Sequence, residues 1–549
     1  MPEPEPALVP DLLHPVPVRR IDFERTKTAI QLAFAGAVSA GLFSETLDTA
    51  SFAPSSWEPQ EFAEDLFLQR FVAYCFRPRL ARAESLASNH LVRLLSRPPA
   101  DPAVVHHRRA VLSELLARPD LRSALEQLHA ALCRLRTLLE NASGARDWDP
   151  NRRQLDILAV LKEIFDAMST SFAGARSGLS RLGSFGATVQ RGEPYQALAD
   201  LLRYDERLAT LNLKVGIGAD GRIRGFEILS VDETAENPFV NPPWRRWFAK
   251  LELFLRGYSL RDAEVMARLV DAVFSGIDGE IVALVQLLGD IEFYLGALGF
   301  HDLAAAAGLP VCLPDVVGPD QPRTLLGLFN PLLLTSGVTP VPCDLICESL
   351  AATVLVTGPN SGGKTRLLQS LGLTQLLAQA GVFVPARSGA IALAPGLVVS
   401  LIEEVRADQA EGRLGMELLR IRRLFERLPP GAMVLLDELC SGTNPSEGEE
   451  IFELVVSMLT RLRPQAFITT HFLTFAGRLE RDRSIERLGF LQVELGADRR
   501  PTYQFTKGVA RTSLAGHAAE RLGVTGEQLL RLIERNLGAV EGARGPELF

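Results

Sequence analysis

The sequence predicts a multidomain chain in which a mainly α-helical region is followed by an α/β domain. Its 549 residues are too many for one hydrophobic core. Helical spacing of apolar residues dominates from about residue 60 to 310. After Leu325 short apolar runs alternate with helical segments, and a glycine-rich segment, Gly358–Thr365, directly follows one of these runs.

Composition limits the classes of protein to which the chain can belong. Hydrophobic residues make up 47% and charged residues 23%, as in globular proteins, and the net charge of -8 argues against coating nucleic acid along the whole surface. The six cysteines show neither a disulfide framework nor metal-ligand spacing. The longest apolar stretch, Ile30 to Phe43, is shorter than the ~18 residues that a membrane span needs. We expect a cytoplasmic protein without a membrane partner.

The helical region follows an N-terminal segment rich in Pro and Glu, which predicts a solvated tail up to about residue 20. The clearest helical stripe is expected to pack in the core and consists of Leu121, Leu125, Leu128, Leu132, Leu135 and Leu139. A second helical stretch, Asp262 to Leu298, is long, and its glycines are expected to break it.

A β-hairpin is predicted inside the helical region. Alternating apolar residues between Leu211 and Leu229 flank the turn signal Asp220-Gly221. Lys214, Arg222 and Arg224 make its tip basic, which suits either a solvated face or contact with a phosphate backbone.

The glycine-rich segment after the apolar run Thr353–Val356 predicts a phosphate-binding loop. Glycines let the backbone curl its N–H groups around phosphate oxygens, and the N-terminus of the following helix adds a favourable dipole. Lys364 is expected to reach the β and γ phosphates, and Thr365 to bind Mg²⁺. The predicted nucleotide-binding residues are Gly358, Pro359, Asn360, Ser361, Gly362, Gly363, Lys364 and Thr365.

Two later buried strands end in residues suited to hydrolysis. The run from Ala432 ends in Asp437, a predicted Mg²⁺ ligand, and Glu438, predicted to orient or deprotonate the attacking water. The run from Gln465 ends next to His471. This order of parts is that of ATPases of the ABC class, and it makes His471 a predicted γ-phosphate sensor rather than a structural histidine. Glu438, His471 and Lys364 are the predicted catalytic residues.

These segments resemble the MutS-like ATPases. The resemblance is close at Thr357–Thr365, Leu376–Ala386, Leu435–Gly448 and Thr469–Phe472, and generic ABC ATPases do not share the Ala378–Ala386 segment. The resemblance extends upstream to Arg93 and downstream through Tyr503 and Gly523-Val524.

The resemblance implies an ABC-type ATPase domain that uses ATP and Mg²⁺, and a homodimer whose subunits complete each other's nucleotide sites. Ser441, Gly442, Thr443 and Asn444 would lie at that interface. ATP binding and hydrolysis would shift helical levers and so change the grip on DNA. The implied domains are an N-terminal tail and short segment (1–58), a helical core and lever domain with the hairpin near 211–229 (59–325), the ATPase domain (326–492) and C-terminal dimerisation helices (493–549).

Departures from the family pattern limit what the resemblance implies. We expect no N-terminal mismatch-recognition domain, because only about 60 residues precede the helical core, and we expect no appended nuclease domain. The hairpin occupies about the expected place of the long clamp helices, so we expect these helices to be missing or reduced. The family's signature serine is absent from Asp408–Glu417, and Gly337–Leu345 contains no aromatic to stack on adenine. We therefore expect binding of a DNA structure rather than a mismatch. A ribosome- or RNA-directed ATPase and a nucleotide-switched protein interaction module are the alternatives.

Overall fold

The computed structural model describes most of the chain, which divides by internal contacts into two compact units. Unit 1 comprises Met1–Ser55, Leu68–Ala306 and Leu376–Phe383, and unit 2 comprises Ser56–Phe67, Ala307–Gln375 and Val384–Phe549. The described residues are 9–37, 40–79, 89–141, 152–205, 210–217, 223–232, 262–401, 413–440, 445–511 and 524–543.

Unit 1 is mainly helical, as predicted. The leucine stripe from Leu121 to Leu139 is fully buried, because the spacing of three and four residues places all six side chains on one face. Its elements are α1 (Phe23–Phe34), α2 (Leu42–Asp48), α3 (Leu68–Tyr74), α4 (Asn89–Leu95), α5 (Pro102–Ala117), α6 (Pro119–Glu140), α7 (Arg152–Ser171), α8 (Ser180–Arg191), α9 (Glu193–Asp205), β1 (Thr210–Ile217), β2 (Ile223–Asp232) and α10 (Asp262–Ala306).

The predicted hairpin is present as the antiparallel pair β1 and β2. Thr210 pairs with Asp232 and Ile217 with Ile223, and the register shifts between these pairs at Asn212/Leu213 and at Gly216/Ile217. The turn itself, with Asp220-Gly221 and Arg222, lies outside the described residues, and the structure describes only the backbone of Lys214 and Arg224.

Helix α10 is continuous over 45 residues, so the expectation that glycines break it is wrong. The glycines instead allow close packing: a Cβ at Gly299 would lie 2.0 Å from the carbonyl oxygen of Arg77, and one at Gly296 would lie 2.9 Å from the Phe76 ring. The segment Ala267–Ala306 is long and apolar enough to cross a membrane, but 94% of its most apolar window is buried inside the protein. Such burial is that of a core helix.

Residues 10–14 of the predicted tail are buried rather than solvated, which corrects the prediction for this part of the segment, whereas residues 15–19 are exposed as predicted. Leu12 and Leu13 are fully buried. The Leu12 N–H donates to Asp290 Oδ2 at 3.0 Å, and Tyr294 Oη donates to the Leu12 carbonyl at 2.6 Å. Arg108 Nε donates to the Leu13 carbonyl at 3.2 Å. The Pro- and Glu-rich composition predicts solvent exposure, but side chains on α5 and α10 form hydrogen bonds with the backbone of Leu12 and Leu13. These partners are distant in sequence, so no local pattern reveals them.

From Ala307 onward the chain is an α/β fold with two sheets. The elements are β3 (Asp315–Val316), β4 (Arg323–Leu328), β5 (Cys343–Cys347), β6 (Thr353–Thr357), α11 (Lys364–Ala380), β7 (Ser388–Ile391), β8 (Leu397–Ser400), α12 (Arg413–Arg427), β9 (Met433–Leu436), α13 (Pro445–Thr460), β10 (Gln465–Thr469), α14 (Leu473–Asp482), β11 (Leu488–Leu495), β12 (Pro501–Lys507) and α15 (Gly526–Ala543). The six-stranded sheet has the order β12-β11-β6-β10-β9-β8, and the four-stranded sheet has the order β3-β7-β4-β5.

The centre of the six-stranded sheet is parallel and buried. Val356 of β6 pairs with Thr469 of β10, and Ile468 of β10 pairs with Leu436 of β9. Every residue of these three strands is buried, which explains their continuous apolar sequences. Since parallel strands end at the same edge, the segments after β6, β9 and β10 lie side by side.

The boundaries of this fold differ from the predicted ones. Strand β11 continues beyond residue 492, and β12 pairs with it antiparallel up to Lys507, so the sheet extends into the segment predicted as C-terminal helices. Most residues of both strands are only partly buried, so their sequences lack a clear apolar pattern, and the sequence did not predict these strands. Helix α15 is the helix described after them.

Candidate functional site

The loop from Gly358 to Gly363 joins the buried end of β6 to the N-terminus of α11. Gly358 and Gly363 have φ angles of 141° and 83°, which residues with a Cβ rarely adopt. A Cβ at Gly358 would lie 2.6 Å from Val493 Cγ2, and one at Gly362 2.8 Å from the same atom. Glycine is therefore required at these positions by conformation, by space or by both. The loop opens onto the first N–H groups of a 17-residue helix, an arrangement that attracts anions.

Lys364 is buried at the first position of α11 and lies folded back over the loop. Its Nζ donates to the carbonyl oxygens of Gly358 at 3.0 Å and Pro359 at 3.3 Å, and to Asn360 Oδ1 at 3.4 Å. Burial lowers the pKa of the Lys364 ammonium, while Glu438 and Asp437 oppose that shift. A phosphate held by the loop would meet this ammonium directly.

Thr365 and Asp437 form the second part of the site. Thr365 Oγ1 donates to Asp437 Oδ2 at 2.5 Å, so the hydroxyl and the carboxylate predicted to bind Mg²⁺ are in contact. Such hard oxygen donors beside a phosphate loop are the ligands that Mg²⁺ takes, together with waters and phosphate oxygens. The donor set fits the ion.

Thr469 at the end of β10 holds both acidic residues, and the sequence did not single it out. Its Oγ1 donates to Asp437 Oδ1 at 2.5 Å and accepts the backbone N–H of Glu438 at 2.8 Å. It is fully buried. One hydroxyl thus fixes the carboxylate of Asp437 and the backbone from which Glu438 projects.

Glu438 turns out of the sheet in a left-handed conformation. Its φ of 49° is uncommon for a residue with a side chain, and such strain persists where the surrounding structure holds it. Its side chain is 37% exposed, and Oε1 lies 4.0 Å from Lys364 Nζ. Glu438 therefore faces the loop while remaining accessible to water.

The remaining predicted residues are less closely connected to this cluster. His471 follows β10, is exposed, and its ring lies 4.3 Å from that of Phe472. Strand β10, which His471 follows, lies between β6 and β9 in the sheet. The other predicted catalytic and metal-binding residues follow β6 and β9. Ser441, Gly442, Thr443 and Asn444 lie outside the described residues, as does the segment 402–412.

Tyr503 lies close to the loop, a placement that the sequence did not reveal. Its Cδ1 lies 3.2 Å from where a Cβ of Gly363 would stand, so its ring lies against the phosphate loop. The residue is 46% exposed, and its φ of 60° is unusual inside a strand. Only the pairing of β12 with β11, next to β6, brings it there.

Comparisons with known proteins identify the relatives of this domain. The family model of MutS domain V matches residues 354–535. Endonuclease MutS2 of Thermus thermophilus is 27% identical over 446 residues, which are 77% of this chain and 56% of the relative. Endonuclease MutS2 of Gemmatimonas aurantiaca is 30% identical over 309 residues, 55% of this chain and 36% of the relative.

A third relative, Endonuclease MutS2 of Streptococcus thermophilus, is 28% identical over 264 residues, 47% of this chain and 32% of the relative. The chain thus spans about a third to just over half of these curated relatives. The matched region contains the end of β6, the phosphate loop, both acidic residues and Tyr503. Residues 354–535 are therefore similar to MutS domain V, and the chain is similar to Endonuclease MutS2 proteins over part of their length.

Proposed function

We propose that this protein is a Mg²⁺-dependent ATPase that acts as a homodimer and couples ATP binding and hydrolysis to a change of grip on DNA. The observation that carries the ATPase part is the connected cluster of Lys364, Thr365, Asp437 and Glu438 around one loop. It holds a phosphate-neutralising ammonium, a Mg²⁺ ligand pair and a general base within one site.

The proposed mechanism assigns one task to each side chain. The loop N–H groups and Lys364 bind the β and γ phosphates and stabilise the charge that develops during transfer. Thr365 and Asp437 would hold Mg²⁺, which neutralises phosphate charge when bound. Glu438 orients a water in line with the γ phosphate and accepts its proton. His471 senses the γ phosphate from the end of β10.

Tyr503 would supply the aromatic platform for adenine. Its exposed ring beside Gly363 stands next to the phosphate loop, and a nucleobase stacks well on such a ring. The neighbouring Gln504 Nε2 donates to the Pro342 carbonyl at 2.9 Å, which ties β12 to the segment before β5. This assignment replaces the aromatic that Gly337–Leu345 lacks.

The homodimer is supported by the apolar surface of the C-terminal helix. Leu529, Leu530, Leu532 and Ile533 of α15 are 42–54% exposed in the single chain. Ordered apolar side chains clustered on one helix are typical of an association surface. Ser441–Asn444 at the subunit interface remain part of this proposal.

DNA as the partner is supported by the relatives, whose name is Endonuclease MutS2. An endonuclease acts on a nucleic acid chain. The proposal for this chain is binding of a DNA structure in the cytoplasm, and it includes no cleavage, since the chain matches only part of each relative.

Filter binding tests the DNA proposal. Purified protein is titrated with duplex, branched and single-stranded DNA and with RNA, each with ATP and with ADP. We expect affinity for a DNA form that falls steeply with salt and differs between the two nucleotides. Preference for RNA would favour a ribosome- or RNA-directed ATPase. Absence of nucleic acid binding at low salt with either nucleotide would favour a protein interaction module instead.

A further inference from the structure

Unit 1 contains a buried cluster of three metal-ligating side chains that the proposed ATPase does not use. His129 and Cys133 lie one helical turn apart on the same face of α6, and Glu292 projects from α10. His129 and Glu292 are at most 1% exposed, and Cys133 is 8% exposed. One ligand atom from each residue lies within 4.8 Å of the other two.

Two of the three distances between these atoms are close to those around a tetrahedral metal. Ligand atoms at the usual Zn–N, Zn–O and Zn–S distances stand roughly 3.3–3.6 Å apart at tetrahedral angles. Here His129 Nε2 lies 3.1 Å from Glu292 Oε1 and 3.6 Å from Cys133 Sγ. The remaining distance, between Cys133 Sγ and the Glu292 carboxylate, is at most 4.8 Å.

The donor types and their charges select the class of metal. A thiolate and an imidazole favour Zn²⁺ and similar borderline ions, whereas Mg²⁺ and Ca²⁺ prefer oxygen ligands. A divalent ion bound by the Cys133 thiolate, the Glu292 carboxylate and a neutral His129 ring forms a site of zero net charge. Zero net charge matters here because an unbalanced charge in a buried site is costly.

We propose that His129, Cys133 and Glu292 form a structural Zn²⁺ site that cross-links α6 to α10 within unit 1. Three protein ligands leave one tetrahedral position for a water. The burial of all three side chains excludes a substrate from that position, so the site stabilises the helical unit rather than performing catalysis.

Metal content and a Co²⁺ spectrum of the purified full-length protein test this proposal. We expect about one Zn²⁺ per chain by elemental mass spectrometry. After chelation, added Co²⁺ should give a thiolate-to-metal charge-transfer band in the near ultraviolet. Co²⁺ at the oxygen ligands Thr365 and Asp437 gives no such band, which separates the two sites.

Matched variants identify the ligands. Cys133→Ala should abolish the band, whereas Cys75→Ala, which removes another buried thiol of unit 1, should leave it unchanged. Glu292→Gln should weaken Zn²⁺ binding at least about tenfold. Wild-type protein with neither Zn²⁺ nor a charge-transfer band, or a band that survives Cys133→Ala, would overturn the proposal. The cluster would then be a His129–Glu292 ion pair beside a thiol.

Discussion

Replacing Thr469 with valine tests whether one hydroxyl organises the acidic half of the nucleotide site. Valine keeps the shape and the β-strand preference of threonine, so β10 should remain intact. The change removes the donor to Asp437 Oδ1 and the acceptor for the Glu438 N–H. The Asp437 carboxylate then loses one of the two hydroxyl donors that fix it near the Mg²⁺ position, and the left-handed backbone of Glu438 loses the hydrogen bond to Thr469.

The magnitude follows from the charged hydrogen bond. Such a bond contributes about 1.5–3 kcal/mol, which corresponds to a fall of roughly 10- to 150-fold in rate if it acts in the transition state. We expect steady-state ATP hydrolysis by Thr469→Val to fall within this range, and the Mg²⁺ concentration that gives half the maximal rate to rise. ATP binding without Mg²⁺ should be retained, because the loop and Lys364 are untouched.

Thr353→Val is the matched control for this experiment. Thr353 lies on the neighbouring strand β6, is also buried, and its hydroxyl makes no hydrogen bond among the described residues. Replacing such a hydroxyl by a methyl group should leave hydrolysis nearly unchanged. A wild-type rate and Mg²⁺ requirement in Thr469→Val would refute the positioning role of Thr469.

Three further predictions concern single residues. Lys364→Ala should weaken ATP binding about 10- to 100-fold and abolish measurable turnover, because it removes a buried charged donor to the phosphates; normal affinity in equilibrium binding would contradict this. Tyr503→Ala should weaken ATP binding by the ~1–3 kcal/mol of one stacked base but leave tripolyphosphate binding unchanged, whereas Tyr503→Phe should bind ATP normally; equal losses for both ligands would exclude stacking. Burial lowers the pKa of His90 to about 4, so between pH 6.5 and 4 the His90 side chain is protonated in the unfolded chain but mostly neutral in the folded chain. The free energy of unfolding should therefore fall by up to about 3 kcal/mol over this pH range. Denaturation of His90→Leu at several pH values should show a smaller fall.

Local constraints made the glycine-rich loop between β6 and α11 predictable from sequence. Gly358 and Gly363 adopt backbone angles that other residues avoid, and the buried strands β6 and β9 require continuous apolar runs, so the loop and Asp437-Glu438 can be read directly. The leucine stripe of α6 and the β1–β2 hairpin are predictable for the same reason: each follows a period set by its own secondary structure.

Features that depend on partners distant in sequence were missed. Tyr503 reaches the loop only because β11 lies beside β6, and Thr469 contacts Asp437 from the neighbouring strand. Leu12 is buried because Asp290 and Tyr294, far along the chain, satisfy its backbone. Gly296 and Gly299 of α10 allow the Phe76 ring and the Arg77 carbonyl to pack close to the helix, and they do not break it. No local period encodes such contacts.

ATP binding and hydrolysis measured side by side in Glu438→Ala test the central claim most directly. Glu438 lies beside the loop without holding it, so the variant should bind Mg²⁺ and ATP with nearly wild-type affinity. Loss of the general base should slow hydrolysis about 10²- to 10⁴-fold. Wild-type hydrolysis by Glu438→Ala would contradict the proposed ATPase mechanism.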